Sequence, residues 1–368
     1  MQKNSFLKNI LILSTILGVC FSAIAQTTRK YSNEFLNIGV DAAALGKSNA
    51  VVASTDNVNS GYWNPAGLVN IEDNQLALMH ASYFANIANY DYIAFAMPID
   101  EKSALGLSVI RFGVDDILDT RALIKAGGEL TPFENLPKFS TADYAFTLSY
   151  SRKPFNKNFS YGVNAKVVRR IIGDFATSWG FGLDAGFQIA SKNEAWKFGI
   201  MVRDLTTTYN SWQIEDGIFD NDLSDDEGNA LNRQEAPETT EVTLPSVQFG
   251  LNREFIIKRN FALDVELDMN LRFAQTNDIL NNQSFSGSPA FGFEFDYKKF
   301  VFLRGGVGNF QKIEQFDGST NTGFQPNFGV GFHYKGVSVD YALTDIGDQS
   351  AAIYSNVFSI RIDWSLFR

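Results

Sequence analysis

Histidine, cysteine and proline are scarce in this chain, and each scarcity removes a class of chemistry. His80 and His333 are its two histidines, too few for a three-histidine zinc site, and no H-E-x-x-H occurs. Ser82 lies two residues from His80, but a serine–histidine pair without an orienting partner does not make a hydrolase. No Gly-x-Ser-x-Gly elbow is present. Gly46-Lys47-Ser48 lacks the glycine that a phosphate loop needs five positions earlier, where Asp41 stands. The single cysteine, Cys20, excludes an intrachain disulfide, and the Val19 before it is larger than lipid attachment to a cysteine normally tolerates. No apolar run of 18 residues follows the N-terminal segment, so no spanning helix is expected. Bases are outnumbered, 31 Lys and Arg against 41 Asp and Glu, which leaves no electrostatic footprint for nucleic acid. The expected protein is not an enzyme and carries no cofactor.

What is present begins with an export signal. Lys3 and Lys8 form a basic start, Ile10 to Phe21 an apolar core, and Ala23-Ile24-Ala25 a small-x-small site, so cleavage is expected between Ala25 and Gln26. Without residues 1–25, which carry two lysines and no acid, the net charge falls from −10 to −12.

Alternation dominates the remainder. In a strand, successive side chains point to opposite faces. Phe358, Ile360, Ile362, Trp364 and Leu366 alternate with Ser359, Arg361, Asp363 and Ser365. The same rhythm runs through 143–150, 159–167, 179–189, 261–269 and 291–297. Weaker versions occupy 75–84, 90–97, 103–112, 196–203, 245–256, 300–307, 324–334 and 337–343. Together these predict fourteen strands. Phenylalanine (33 residues) suits pleated strands, and glycine (29 residues) suits tight turns and a crowded interior.

The connections carry a second rhythm. Short turns at 98–102, 153–158, 191–195, 257–260, 298–299 and 335–336 alternate with connections at 85–89, 113–139, 171–177, 204–244, 274–288, 308–323 and 344–354. Short turns on one side and mostly longer loops on the other mark an outer-membrane barrel, and an even strand number puts both chain ends on the periplasmic side. In hydrocarbon every backbone N–H and C=O needs a partner, so the sheet must close. The expected fold is therefore an all-β transmembrane antiparallel barrel whose apolar rows meet the lipid bilayer. Asp264, Glu266, Asp268, Arg304 and Arg361 fall on the inward rows. They form either a mutually neutralising internal network or a ligand path.

Residues 34–68 break the rhythm. Ala-rich Val40 to Val52 is followed by Trp63-Asn64-Pro65-Ala66-Gly67-Leu68, in which Asn-Pro forces an extended residue and Gly67 permits a reversal. A small-residue segment of this kind fits inside a barrel as a plug. The expected division is a signal over 1–25, a plug over 26–70 and a barrel over 71–368. The block GVDAAALGKSNAVVASTDNVNSGYWNPAGL (Gly39 to Leu68) resembles the N-terminal signature of the PorV/PorQ family of Bacteroidetes outer-membrane proteins. That family is related to the FadL-type fourteen-stranded transporters, which share an Asn-Pro-Ala-Gly-Leu element. RFGVDDILDT (Arg111 to Thr120), VFLRGGVG and VSVDYAL resemble further family segments, while Ala42, Ala43 and Ala44 stand where the family often has an arginine.

The resemblance implies an accessory role in type IX secretion, with the translocon or the C-terminal signal domains of cargo as partners. For such a partner, Ile117, Leu118, Leu123, Ile124, Phe133 and Leu136 in the connection 113–139 are the candidate contacts. The alternative is a FadL-like transporter of hydrophobic solutes. The loop 204–244 adds ten acids against the single base Arg233 between Glu215 and Glu241. Asp220, Asp222, Asp225, Asp226 and Glu227 there are either a solvated acidic run or calcium ligands; their spacing is not that of an EF-hand.

Overall fold

The structure is a computed structural model and describes residues 32–83, 87–120, 131–154, 158–215, 239–314, 318–344 and 354–364. Its strands are β1 (Gln75–Tyr83), β2 (Ala88–Asp100), β3 (Ser103–Leu118), β4 (Lys138–Arg152), β5 (Phe159–Ile172) and β6 (Ala176–Ala190). There follow β7 (Trp196–Arg203), β8 (Thr208–Ile214), β9 (Thr240–Thr243), β10 (Ser246–Lys258), β11 (Phe261–Arg272) and the two-residue β12 (Leu280–Asn281). The last five are β13 (Ser286–Tyr297), β14 (Val301–Glu314), β15 (Thr320–Tyr334), β16 (Val337–Thr344) and β17 (Ser355–Asp363). All pairings are antiparallel. The sheet closes where β1 meets β17, from Gln75↔Asp363 to Ser82↔Asn356.

Seventeen labelled strands make a fourteen-stave barrel because two staves are broken and β12 is an outlying pair. β7 and β8 both run along β6, β7 pairing with residues 185–190 and β8 with 176–181. Likewise β10 pairs with β7 and β9 with β8. The breaks at 204–207 and 244–245 lie side by side. Asp204 and Thr207 adopt positive φ (53° and 60°), and Pro245 has no N–H to give a ladder.

The rows sort as the alternation requires. Phe181, Leu303, Phe328 and Phe332 point outward and stay more than half exposed to the surroundings, the arrangement expected of a lipid-facing wall. Inward positions such as Ser149, Ser151, Asn164, Asp184, Asn252 and Glu266 are buried. Several strands run further than their apolar pattern. β3 and β4 extend into the connection 113–139, and β14 and β15 fill most of 308–323. Beyond the lipid both faces meet water, so the apolar signal ends while the hydrogen-bond ladder continues. The connection 204–244 also gives up its ends to β8 and β9.

Candidate functional site

Residues 32–71 fill the lumen, built from a 3-10 turn (Glu34–Asn37), helices Ala42–Leu45 and Ser60–Trp63, and a second 3-10 turn (Pro65–Asn70). The Trp-Asn-Pro-Ala-Gly-Leu motif is the joint of this plug. Trp63 Nε1 donates to Val40 O at 3.0 Å. Asn64, fully buried, accepts from Ala66 N through Oδ1 at 3.2 Å, capping the turn that Pro65 opens. Asn64 Nδ2 donates to Val52 O (2.9 Å) within the plug and faces Phe187 O (3.2 Å) and Ile200 O (3.4 Å) on the wall. The wall answers with glycine. A methyl group at Gly186 would overlap Asn64 Oδ1, and one at Gly162 would overlap the Pro65 backbone.

A second joint holds residues 51–53. Asp268 Oδ2 accepts from Val51 N (3.0 Å) and Val52 N (3.1 Å), and Glu266 Oε1 accepts from Ala53 N (2.6 Å). On the other side Gln188 Nε2 donates to Val52 O (3.2 Å) and Thr55 O (3.0 Å). Three consecutive plug amides thus end on two adjacent carboxylates of β11. Lys47 of the plug lies 4.0 Å from Asp264. Burial works against its ammonium, yet the Glu294, Asp264 and Glu266 carboxylates prevail and hold its pKa above the usual lysine value.

Among the described residues, two of the ion clusters brace the wall beside the plug. Lys166 Nζ sits 2.8 Å from Asp184 and 2.6 Å from Asp204, with Asp204 N donating to Asp184 at 2.8 Å and Thr208 bonded to Asp204. This cluster stitches the break between β7 and β8. Arg203, at the same break, donates to Tyr62 O at 3.0 Å and stacks over the Tyr62 ring at 4.5 Å. Across the lumen, Arg304 bridges Glu294 (2.5 Å) and Asp340 (2.6 Å).

Two cavities flank the plug. At the long-loop end a vestibule of about 450 Å³ is lined by plug residues including Leu45, Ser48, Asn49 and Trp63, and by wall residues including Arg203, Gln248 and Asp268. At the short-turn end a smaller cavity of about 200 Å³ is lined by Ala53, Thr55, Asn158, Gln188 and Lys197, among others. Val52 is tied to the lining of both: its N–H is held by Asp268 of the vestibule and its C=O by Gln188 of the lower cavity.

The residues singled out from sequence fall into separate places. Asp264, Glu266, Asp268 and Arg304 surround the plug, while Arg361 lies apart and donates to Ser338 at 3.1 Å. Of the partner candidates, Ile117 is half-buried, Leu118 and Phe133 are exposed, and Leu136 is buried, which removes it from any contact surface. Leu123 and Ile124 lie outside the described residues, as do Asp220, Asp222, Asp225, Asp226 and Glu227, and Ala25 and Gln26. His80 points outward with Ser82, its Nδ1 2.7 Å from Asp91 Oδ1. The vestibule amides and the carboxylate grip on 51–53 were not anticipated. The contact between position 52 and position 268 leaves no local trace in the chain.

No family model matches the sequence, and no curated protein does. Among solved structures, a FadL homologue of Pseudomonas aeruginosa is similar at TM-score 0.51 with 12% identity, over 88% of this chain and 98% of that one. The toluene transporter TodX of Pseudomonas putida gives TM-score 0.54 at 10% identity, over 91% and 98%. The monoaromatic hydrocarbon channel CymD gives TM-score 0.54 at 11% identity, over 89% and 98%. This chain therefore has the fold of the FadL-like outer-membrane barrels, a closed fourteen-strand cylinder.

Proposed function

We propose that this protein is a plugged outer-membrane solute channel, with the long-loop end facing the exterior and the short-turn end the periplasm. A solute collects in the vestibule and passes when the septum at residues 51–53 moves aside. One observation carries this reading: a cavity opens at each end of the barrel, and plug residues 51–53 are hydrogen-bonded both to Asp268 on the lining of one and to Gln188 on the lining of the other. It is supported by two structural neighbours, the toluene transporter TodX and the monoaromatic hydrocarbon channel CymD. Proteoliposome swelling tests it. Replacing Asp268 and Glu266 together by Asn and Gln weakens the grip on three amides, so swelling with a small neutral solute should rise severalfold over the unmodified barrel. Unchanged swelling from a heat-modifiable, correctly folded variant would reject the gate.

A second reading rests on the rim. Phe133 (65%) and Ile87 (63%) are strongly exposed at the long-loop end, as is Leu118 at the end of β3. Large apolar side chains held beyond the lipid-facing rows suit a protein partner. The PorV/PorQ resemblance suggests which one: the type IX translocon or a cargo signal domain. Phe133→Ser with Leu118→Ser should then abolish co-purification of secretion components from outer membranes, and retained co-purification would remove this reading.

A further inference from the structure

We infer that the short-turn end of the barrel carries a binding belt for the headgroups of anionic phospholipids, built on the turns after β10, β13 and β15. The inference rests on the barrel's place in a bilayer and is independent of whether the lumen conducts. The backbone of these turns is the first observation. Tyr297-Lys298-Lys299-Phe300 closes with Phe300 N donating to Tyr297 O at 3.0 Å, and Lys298 and Lys299 take φ of 57° and 53°. In the two-residue turn between Tyr334 and Val337, Lys335 has φ 48° and Gly336 has φ 79°. Two successive positive φ values belong to the type I′ turn, which asparagine and glycine fill with least crowding of Cβ against the carbonyl. Lysine stands at three of these four places. A side chain kept on an unfavourable backbone points to a task for the side chain.

The three turns lie side by side. Lys298 N donates to Asn260 O at 2.8 Å, and His333 N donates to Phe300 O at 2.9 Å. Residues 257–260, 298–300 and 335–336 hold five bases, Lys258, Arg259, Lys298, Lys299 and Lys335, and no acid, in a chain of net charge −10. All five are exposed. The neighbouring Asp296 accepts from Lys299 N at 3.0 Å. Aromatic rings accompany the bases. Lys298 Nζ stands 5.3 Å from the Tyr297 ring centre and Lys335 Nζ 5.3 Å from that of Tyr334, which packs edge-on against Phe300 at 6.0 Å. Tyr297, Phe300 and Tyr334 are themselves exposed. Exposed tyrosines at the end of lipid-facing rows sit at headgroup depth, and an ammonium whose stem lies along them reaches phosphate there. In the orientation proposed above, this is the periplasmic leaflet. A phosphodiester with a neutral remainder, as in phosphatidylglycerol, complements the belt; a choline headgroup brings a cation of its own.

The test uses the full-length barrel in a polyoxyethylene detergent with equimolar palmitoyl-oleoyl phosphatidylglycerol and palmitoyl-oleoyl phosphatidylcholine, which differ only in headgroup. Native mass spectrometry counts each lipid retained. The parent should retain phosphatidylglycerol about fivefold or more over phosphatidylcholine. Lys298→Asn, Lys299→Gly and Lys335→Asn, combined, should lower that ratio about threefold or more. Asparagine and glycine suit positive φ better than lysine, so without lipid the variant should unfold at the same or a higher urea concentration than the parent. The inference is overturned if the parent does not discriminate, if the variant keeps the parent's ratio, or if the variant unfolds earlier, which would give the lysines a structural task instead. Either of the first two results would leave the belt to an acidic periplasmic protein.

Discussion

Asn64 is one of the residues that join plug and wall, and its removal has a calculable effect. In Asn64→Ala the cap on Ala66 N is lost, worth about 1 kcal/mol. The side-chain donor to Val52 O, with its contacts to Phe187 O and Ile200 O, is lost as well. A buried group stripped of its partner costs about 1–3 kcal/mol. Val52 O keeps Gln188 as a second donor, so the total belongs near 2–4 kcal/mol rather than at the sum of three full bonds. At 1.4 kcal/mol per tenfold, the plug should open roughly 30 to 1,000 times more often. Hydrogen exchange by mass spectrometry reads this directly: protection of amides 51–53, 64 and 66–68 should fall by that factor while β13 to β16 are unaffected. Asn64→Asp keeps the cap oxygen and loses the donor, and should give an intermediate loss. Unchanged exchange in the plug, or a loss spread equally through the wall, would refute the argument that Asn64 fastens the one to the other.

Further expectations concern the wall. Ile360→Arg places a cation on the outward row of β17 between Leu78 and Val339, where mid-bilayer arginine costs about 2–4 kcal/mol, and should depress folding yield into phospholipid vesicles. Ile362→Arg, at the end of β17 beside Leu76 and Val337, should cost less, because arginine near the interface costs about 0–1 kcal/mol; equal yields would contradict the depth assignment. Arg304→Met strands Glu294 and Asp340, and losing one partner of a buried ion network costs about 3–5 kcal/mol, read as a lower urea midpoint. Restoring Glu294→Gln and Asp340→Asn in the same chain should recover most of that loss.

Fourteen staves were legible because lipid imposes a strict rule on every second residue. Where the rule stops, no alternation marks the chain: Asp115 to Leu118 and Asn309 to Ile313 continue their strands with mostly exposed or half-buried residues on both faces. The paired breaks at 204–207 and 244–245 left only Pro245 as a sign, since the left-handed positions fall on Asp204, held by Lys166 and Asp184, and on Thr207, bonded back to Asp204 O, and not on glycine. Within the segment 32–71, the motif Trp63 to Leu68 forms the joint with the wall. Its seats, Gly162 and Gly186, are two of the lumen glycines that read from sequence only as a glycine-rich face. The inward acids were legible as a set, but their division into plug acceptors (Glu266, Asp268) and arginine partners (Glu294, Asp340) depends on which backbone amides come within reach. The vestibule amides carry no pattern at all, because asparagine and glutamine on loop-proximal strands are ordinary until several converge.

The movement of the plug is what a reversible lock examines. A Cβ at Gly61 would lie 3.6 Å from that of Ser149 on β4, inside the roughly 3.5–4.5 Å that a disulfide spans. In a Cys20→Ser background, Gly61→Cys with Ser149→Cys should tie the helix Ser60–Trp63 to the wall on oxidation. The account predicts solute entry into proteoliposomes from the reduced barrel, none from the oxidised one, and recovery on adding reductant. Equal entry in both states, with the disulfide quantitatively formed, or no entry in either, would contradict it.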